Sequence, residues 1–364
     1  MKFRFLFLLS ALGPCWLGLR ASGPEGILPA VSLFPVGRYE LTDRDHIELI
    51  SSGAHVGFRF RGTSCEVWAY LDTRATHNYL QYTLDGVYQT RIRVAGVRPR
   101  AYRIEAPDDG VHTVWLYKAT EAHTGPVFLR EIGGSRLKAL KVPAGPLIEF
   151  IGNSITCGAA ADPSEVPCGQ GAYHDQHHAW GAYGPQVARR LGARFILSSA
   201  SGIGVYRNWN SAGPVMPDVY DRSDFQADSP RRWDFSRYQP AIVSLALGTN
   251  DFSAGDGVKP RLPFDSAAFV SRYVAFVQQV KGYYPQARIA LLSSPMLEGE
   301  RRDQLERCLV AVKQRVDALF PEDAPVALHL FLPMQAQGCT GHPSVADHGV
   351  MAAELEPFFR ALLP

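Results

Sequence analysis

Four separated stretches of this chain carry residue types suited to acyl transfer. Ser154 follows Gly152-Asn153 at the end of the apolar run Leu147-Ile148-Glu149-Phe150-Ile151. Ser201-Gly202 and Gly248-Thr249-Asn250-Asp251 each follow another apolar run, and Gly341-His342-Pro343-Ser344 comes just before the closing segment of the chain. A serine hydroxyl is a weak nucleophile until a base takes its proton. The tetrahedral intermediate that follows needs donors already aimed at its oxyanion. The backbone N–H groups of Ser154 and Gly202 and the side-chain amide of Asn250 could supply those donors. Taken alone, Gly-x-Ser is an ordinary strand-to-loop turn with a capping serine. It gains meaning only if the other three stretches reach the same place.

The elements around them favour that. The runs at 147–151, 195–199, 241–247, 289–293 and 327–332 read as buried strands. Between them Phe269, Tyr273, Phe276 and Val280 mark one helical face, and Leu305, Leu309, Val312 and Val316 mark another. Strands alternating with helices imply a parallel sheet covered on both sides, with the site at the carboxyl ends of the strands. Residues 24–143 differ. Cys65 to Leu71 and Val111 to Tyr117 have strand composition, and Asp85-Gly86 reads as a hairpin turn. Short strands with regular turns predict a β-sandwich or jelly roll, and this half offers no constellation suited to chemistry. The Gly133-Gly134-Ser135 and Val142-Pro143-Ala144-Gly145-Pro146 stretches divide the chain, giving domains at 24–143 and 144–364.

Bulk properties set the remaining bounds. A chain of 364 residues can hold two cores. A net charge of +2 with 20% charged residues predicts neither a nucleic-acid stripe nor a polybasic membrane surface. Met1-Lys2-Phe3-Arg4, the apolar run to Leu12 and the small residues near Ala21 to Gly23 read as a signal peptide over residues 1–23. The product is therefore expected to be secreted or periplasmic, with no membrane attachment after cleavage. Five cysteines would remain, Cys65, Cys157, Cys168, Cys308 and Cys339, in an oxidising compartment. Oligomeric state is not legible.

The ordered blocks resemble the SGNH (GDSL) hydrolase superfamily. They are closer to carbohydrate esterase family 2, on Gly152-Asn153-Ser154-Ile155-Thr156-Cys157-Gly158, Ser201-Gly202-Ile203-Gly204, Trp233-Asp234-Phe235-Ser236, Leu247-Gly248-Thr249-Asn250-Asp251-Phe252 and His342-Pro343-Ser344. That resemblance implies an N-terminal jelly roll followed by a flavodoxin-like three-layer α/β/α hydrolase domain. It implies an esterase that deacetylates xylan, mannan or acetylated sugars without a metal or other cofactor. Ser154 would be the nucleophile and His342 the general base, with Ser154, Gly202 and Asn250 as the oxyanion hole. The other readings are an esterase or lipase on different short-chain esters, and a carbohydrate-binding protein with a degenerate hydrolase domain.

One departure matters. Relatives often place Asp two or three residues before the histidine, where this chain has Thr340 and Cys339. Neither can be the anionic orienter of a triad. The expectation is a Ser-His dyad whose Nδ1–H is held by a backbone carbonyl. Asp251 is read as a loop anchor, and Asp347 as lying along the closing helix. Trp209 and Tyr206 are candidates for a sugar subsite. Cys157 and Cys339 flank the two catalytic residues and are expected to form a disulfide, with Cys157–Cys168 or no bridge as alternatives. The cluster Tyr173-His174-Asp175-Gln176-His177-His178 is expected to form an exposed lip of the site rather than a metal centre.

Overall fold

The protein is described by a computed structural model over residues 26–364, so the signal-peptide expectation lies outside the described residues. The first half consists of ten antiparallel strands. They are β1 (Gly26–Pro29), β2 (Tyr39–Leu41), β3 (Ile47–Leu49), β4 (His55–Tyr70), β5 (His77–Leu84), β6 (Val87–Tyr88), β7 (Ile92–Ala95), β8 (Arg100–Glu105), β9 (Val111–Lys118) and β10 (Val127–Leu140). The long strand β4 pairs with β9 through its first part and with β8 through its second, while β10 runs beside it throughout. Register shifts at Leu129/Glu131, Gly133/Ser135 and Ser135/Lys138 bend β10, so one sheet wraps round its own core. Phe58, Phe60, Val67, Leu80, Ile104, Leu116 and Ile132 fill that core. The Asp85-Gly86 turn has positive φ at both residues, as a tight hairpin requires.

The second half is built on five parallel strands, β11 (Leu147–Gly152), β12 (Arg194–Ser199), β13 (Ile242–Ala246), β14 (Arg288–Leu292) and β15 (Ala327–His329). Their order is β12-β11-β13-β14-β15, the flavodoxin-like arrangement. Its helices are α1 (Ser154–Cys157), α2 (Tyr183–Arg190), α3 (Met216–Val219), α4 (Ser266–Tyr283), α5 (Gly299–Leu319) and α6 (Val345–Leu362). Alternation along the strands divides the sheet between two cores. Val243, Leu245, Ile289 and Leu291 pack against α4 and α5, including all eight residues of the two predicted helical faces. Ile148, Phe150, Ile242, Ala290 and Leu292 pack against α2 and α6. The last strand is shorter than its apolar run, because Leu330 and Leu332 turn outward beyond the sheet edge. Among the described residues no helix is long and apolar enough to cross a membrane.

A buried cation joins the halves. Arg38, fully enclosed, donates from Nη1 to the carbonyls of Tyr220 (2.8 Å) and Arg222 (2.5 Å) and from Nε to Ser198 Oγ (3.3 Å). Its Nη2 lies 4.0 Å from Glu149 Oε1 in β11, and its guanidinium faces the Phe225 ring at 4.3 Å. Removing one partner of a buried pair leaves a charge without solvent or counter-ion. Arg38→Met should therefore cost about 3–5 kcal/mol in urea unfolding. A loss below about 1 kcal/mol would mean that Glu149 is satisfied without it.

Candidate active site

Parallel strands bring their carboxyl ends to one edge, and that edge gathers the dispersed motifs. β11 ends at Gly152, where a Cβ would meet Thr156 Oγ1 at 2.0 Å, so only glycine lets the chain turn back this tightly. Asn153 caps the short helix that follows, its side chain accepting from the Ile155 N–H at 3.0 Å. Gly158 ends that helix in the left-handed conformation, where a Cβ would strike the His178 carbonyl. Ser154 is the first residue of α1, buried except for 8% of its surface.

His342 reaches it from the other end of the chain. Its Nε2 lies 2.9 Å from Ser154 Oγ, a hydrogen bond spanning 188 residues. With Nε2 accepting from the hydroxyl, the ring proton sits on Nδ1, 3.1 Å from Thr340 Oγ1. Burial lowers the pKa of His342, while the Cys339 and Thr340 carbonyls favour its charged form and His177 opposes it. Among the described residues no carboxylate hydrogen-bonds the ring. Thr340 holds φ 51°, a conformation uncommon for a β-branched residue, in the short turn Cys339–Gly341. Asp347 Oδ2 instead accepts from Ser344 N, Ser344 Oγ and Gln337 N, capping α6 just behind the histidine.

The disulfide differs from the expected one. Cys339 pairs with Cys168, not with Cys157, and so ties the His342 turn to the loop before residue 173. Cys157 is buried as a free thiol, 3.3 Å from Glu121 Oε2 and 3.2 Å from Ser199 Oγ. Its thiol is thus turned to a carboxylate of the all-β half and to the end of β12.

The oxyanion candidates are connected to one another. Gly202 has φ +73° with open space where a Cβ would stand, and its carbonyl accepts from Trp209 N at 2.8 Å. Asn250 Nδ2 donates to the Ile203 carbonyl at 2.8 Å, which leaves its second N–H for a ligand. Asp251 is fully buried and accepts from the backbone N–H groups of Val205, Tyr206 and Arg207. Burial pushes its pKa up to about 6 despite those bonds. It anchors the loop after Gly202 and does not touch His342.

Two clefts open over this edge. One of about 250 Å³ is lined by Ser154, His342, Asn250, Trp209, Arg301 and Met296 among others. The other, about 480 Å³, is lined by Gly202, Ser201, His123, Asn208 and Trp209 among others. Trp209, 44% exposed, stands in both walls. Tyr206 lines neither cleft. Its ring packs edge-on against Phe264, because Asp251 draws its backbone inward.

Residues 173–180 are not an exposed lip. Asp175, Gln176, His177 and His178 are buried between the halves, because each finds partners there. His177 Nε2 donates to Glu121 Oε1 at 3.1 Å, Asp175 takes His77 and Tyr79, and the Trp180 ring stacks on Tyr88. Only Tyr173 keeps to the rim, its ring centroid 6.4 Å from that of His342. His77, His174 and Asp175 do bring three ligand-type atoms within 4.8 Å of one another. Each is already engaged: His77 Nε2 with Asp175 Oδ1, and His174 Nε2 with the His77 carbonyl. The residue that sequence reasoning missed altogether is Glu121, supplied by the all-β half. It lacks a motif, and only the fold brings it to this edge.

Removing the Cys168–Cys339 link frees a loop spanning 171 positions. The double variant Cys168→Ala/Cys339→Ala should lose about 2–5 kcal/mol of unfolding free energy. An unchanged urea midpoint would show that other contacts alone hold the His342 turn.

Comparison with known proteins agrees with this geometry. Residues 35–143 match the carbohydrate esterase 2 N-terminal family, and residues 150–347 match the GDSL-like lipase/acylhydrolase family. The chain is 31% identical over 332 residues to the cellulase/esterase CelE of Acetivibrio thermocellus, covering 88% of this chain and 38% of that protein. It is 26% identical over 329 residues to an acetylxylan esterase/glucomannan deacetylase of Cellvibrio japonicus, covering 86% and 87%. The structure of a family two carbohydrate esterase from Clostridium thermocellum in complex with cellohexaose superposes with a TM-score of 0.79 at 29% identity, covering 92% and 98%. The chain belongs to the GDSL-like lipase/acylhydrolase family and carries a carbohydrate esterase 2 N-terminal domain ahead of its α/β half.

Proposed function

We propose that this protein is an exported serine esterase that removes acetyl groups from acetylated carbohydrates. The carrying observation is the 2.9 Å contact between Ser154 Oγ and His342 Nε2 at the carboxyl edge of the sheet. As the Ser154 oxygen attacks the acetyl carbonyl, its proton passes to His342 Nε2. The developing oxyanion is received by the Ser154 and Gly202 N–H groups and the unused N–H of Asn250. His342 then protonates the departing sugar oxygen, which leaves as a free hydroxyl. In the second half it takes a proton from water as that water attacks the acetyl-enzyme, and returns the proton to Ser154 Oγ as acetate leaves. Every proton moves through Ser154, His342 or water.

The smaller cleft suits a short acyl group, and Trp209 offers a flat face beside it for a sugar ring. The relatives named for acetylxylan and glucomannan, and the cellohexaose bound by the similar structure, support a β-linked polysaccharide substrate. The Cys168–Cys339 disulfide supports an oxidising compartment outside the cytoplasm. An intact Ser-His contact speaks against a degenerate, binding-only hydrolase half.

Ser154→Ala should lower kcat on p-nitrophenyl acetate by about 10³-fold or more without moving the unfolding midpoint. Retained activity would exclude the assignment. Release of acetate from acetylated xylan or glucomannan should exceed cleavage of longer acyl esters, and a preference for long chains would point to a lipase. The base acts in its neutral form, and burial keeps His342 below its ordinary pKa of 6.5. The acid limb of kcat/KM should therefore fall below 6.5, and a midpoint above it would contradict the proposed site. Thr340→Val removes one neutral hydrogen bond of about 1 kcal/mol, so kcat should drop about fivefold. An unchanged kcat would mean that the carbonyls alone orient the ring.

A further inference from the structure

We propose that Glu121, a side chain of the N-terminal domain, is a positioning residue of the esterase site, holding the Ser201–Gly202 turn and the His177 ring behind His342. The inference rests on the serine-esterase reading above and extends it to the other domain. Glu121 lies just beyond β9 and is fully buried. Its Oε2 accepts from the Ser201 N–H at 2.7 Å, the amide immediately before Gly202. Its Oε1 accepts from His177 Nε2 and His123 Nε2, both at 3.1 Å. The turn is thus pinned by Glu121 on one side, and on the other by Trp209 N donating to the Gly202 carbonyl. Behind the carboxylate, the buried amino group of Lys118 donates to the carbonyls of Thr120 and Glu121, which fixes the loop that carries it.

The group must be an anion to do this. Burial opposes its ionisation, yet His123 and His177 hold its pKa well below the ordinary carboxylate value. A carboxamide would have to turn its NH2 toward either the Ser201 N–H or the imidazoles, donor against donor. His177 cannot relieve that by switching tautomer, because its Nδ1 accepts from the Ala160 N–H at 3.4 Å. From His177 the contacts continue to the Tyr173 ring at 4.8 Å between centroids, and from Tyr173 to His342. The ionisable groups acting on His342 are His177, which disfavours its charge, and Glu121, which favours it. His348, on the buried face of α6, is kept neutral by burial, and Arg301 lines the same cleft as His342. Those facing Glu121 are His123, His177, Cys157 and Lys118.

The test uses the full chain with Glu121→Gln and Glu121→Asp, assayed on p-nitrophenyl acetate from about pH 5 to 9 beside Ser154→Ala and urea unfolding. Glu121→Gln should lower kcat about 10- to 100-fold with KM changed less than about threefold. Its acid limb should move to lower pH, because His342 loses a charge that favours its protonated form. Glu121→Asp should recover part of the rate and move the limb back. Wild-type kcat with an unmoved limb in Glu121→Gln overturns the proposal. So does a loss of rate that only follows lost stability with the limb unmoved. Failure of both variants to fold would make the carboxylate a requirement of the fold and would also overturn it. An active Ser154→Ala would sink the esterase reading itself, whereas an inactive Ser154→Ala beside a fully active Glu121→Gln removes only the positioning role.

Discussion

The arrangement depends on holding a neutral imidazole 2.9 Å from a serine hydroxyl with no carboxylate among the described residues bonded to the ring. In a triad an aspartate fixes the tautomer and stabilises the imidazolium through one strong bond. Here that task is divided. Thr340 Oγ1 and the nearby carbonyls face Nδ1, the Cys168–Cys339 link fixes the turn, and the capped start of α6 carries the chain away behind it. Neutral dipoles stabilise a cation less than a carboxylate does, so rigidity has to supply part of what charge supplies elsewhere. The strained φ of Thr340 fits such a site, being tolerated only where the surroundings over-determine the backbone.

The two halves are therefore not independent modules. At one side of the junction Arg38 enters the α/β half and meets Glu149 on β11. At the other, Glu121 enters beneath the Gly202 turn. Both are buried charges that water cannot satisfy, so displacing one half from the other would leave a charge buried without its partner. The segment 173–180 fills the space between them and brings its histidines into the same network.

Much of this was legible in the sequence. Each core strand of the α/β half showed as an apolar run, and helical spacing identified the buried faces of α4 and α5. The turn at Gly152 was recognisable because a tight turn admits few residue types, whereas the cap fell to Asn153 rather than the serine, and the left-handed role of Gly158 appeared only in the fold. Other features depended on long-range geometry. The partner of Cys339 could not be chosen by spacing, since Cys157 and Cys168 are close in sequence, yet the fold buries Cys157 against Glu121 and Ser199 and brings Cys168 to the His342 turn. Tyr206 had the right chemistry and neighbourhood, yet Asp251 turns it inward. The histidine-rich segment looked exposed because its partners, Glu121, His77 and Gln81, all lie in the other half. Glu121 itself had no local pattern to mark it.

Ser154 has to carry the acyl group for this chemistry to run. Rapid acid quenching during turnover of p-nitrophenyl acetate, followed by peptide mass mapping, tests it most directly. One acetyl adduct is expected, on the peptide containing Ser154, appearing with the burst of nitrophenol and decaying with turnover. An acetyl group on another residue, or turnover without any protein-bound acetyl, would contradict it.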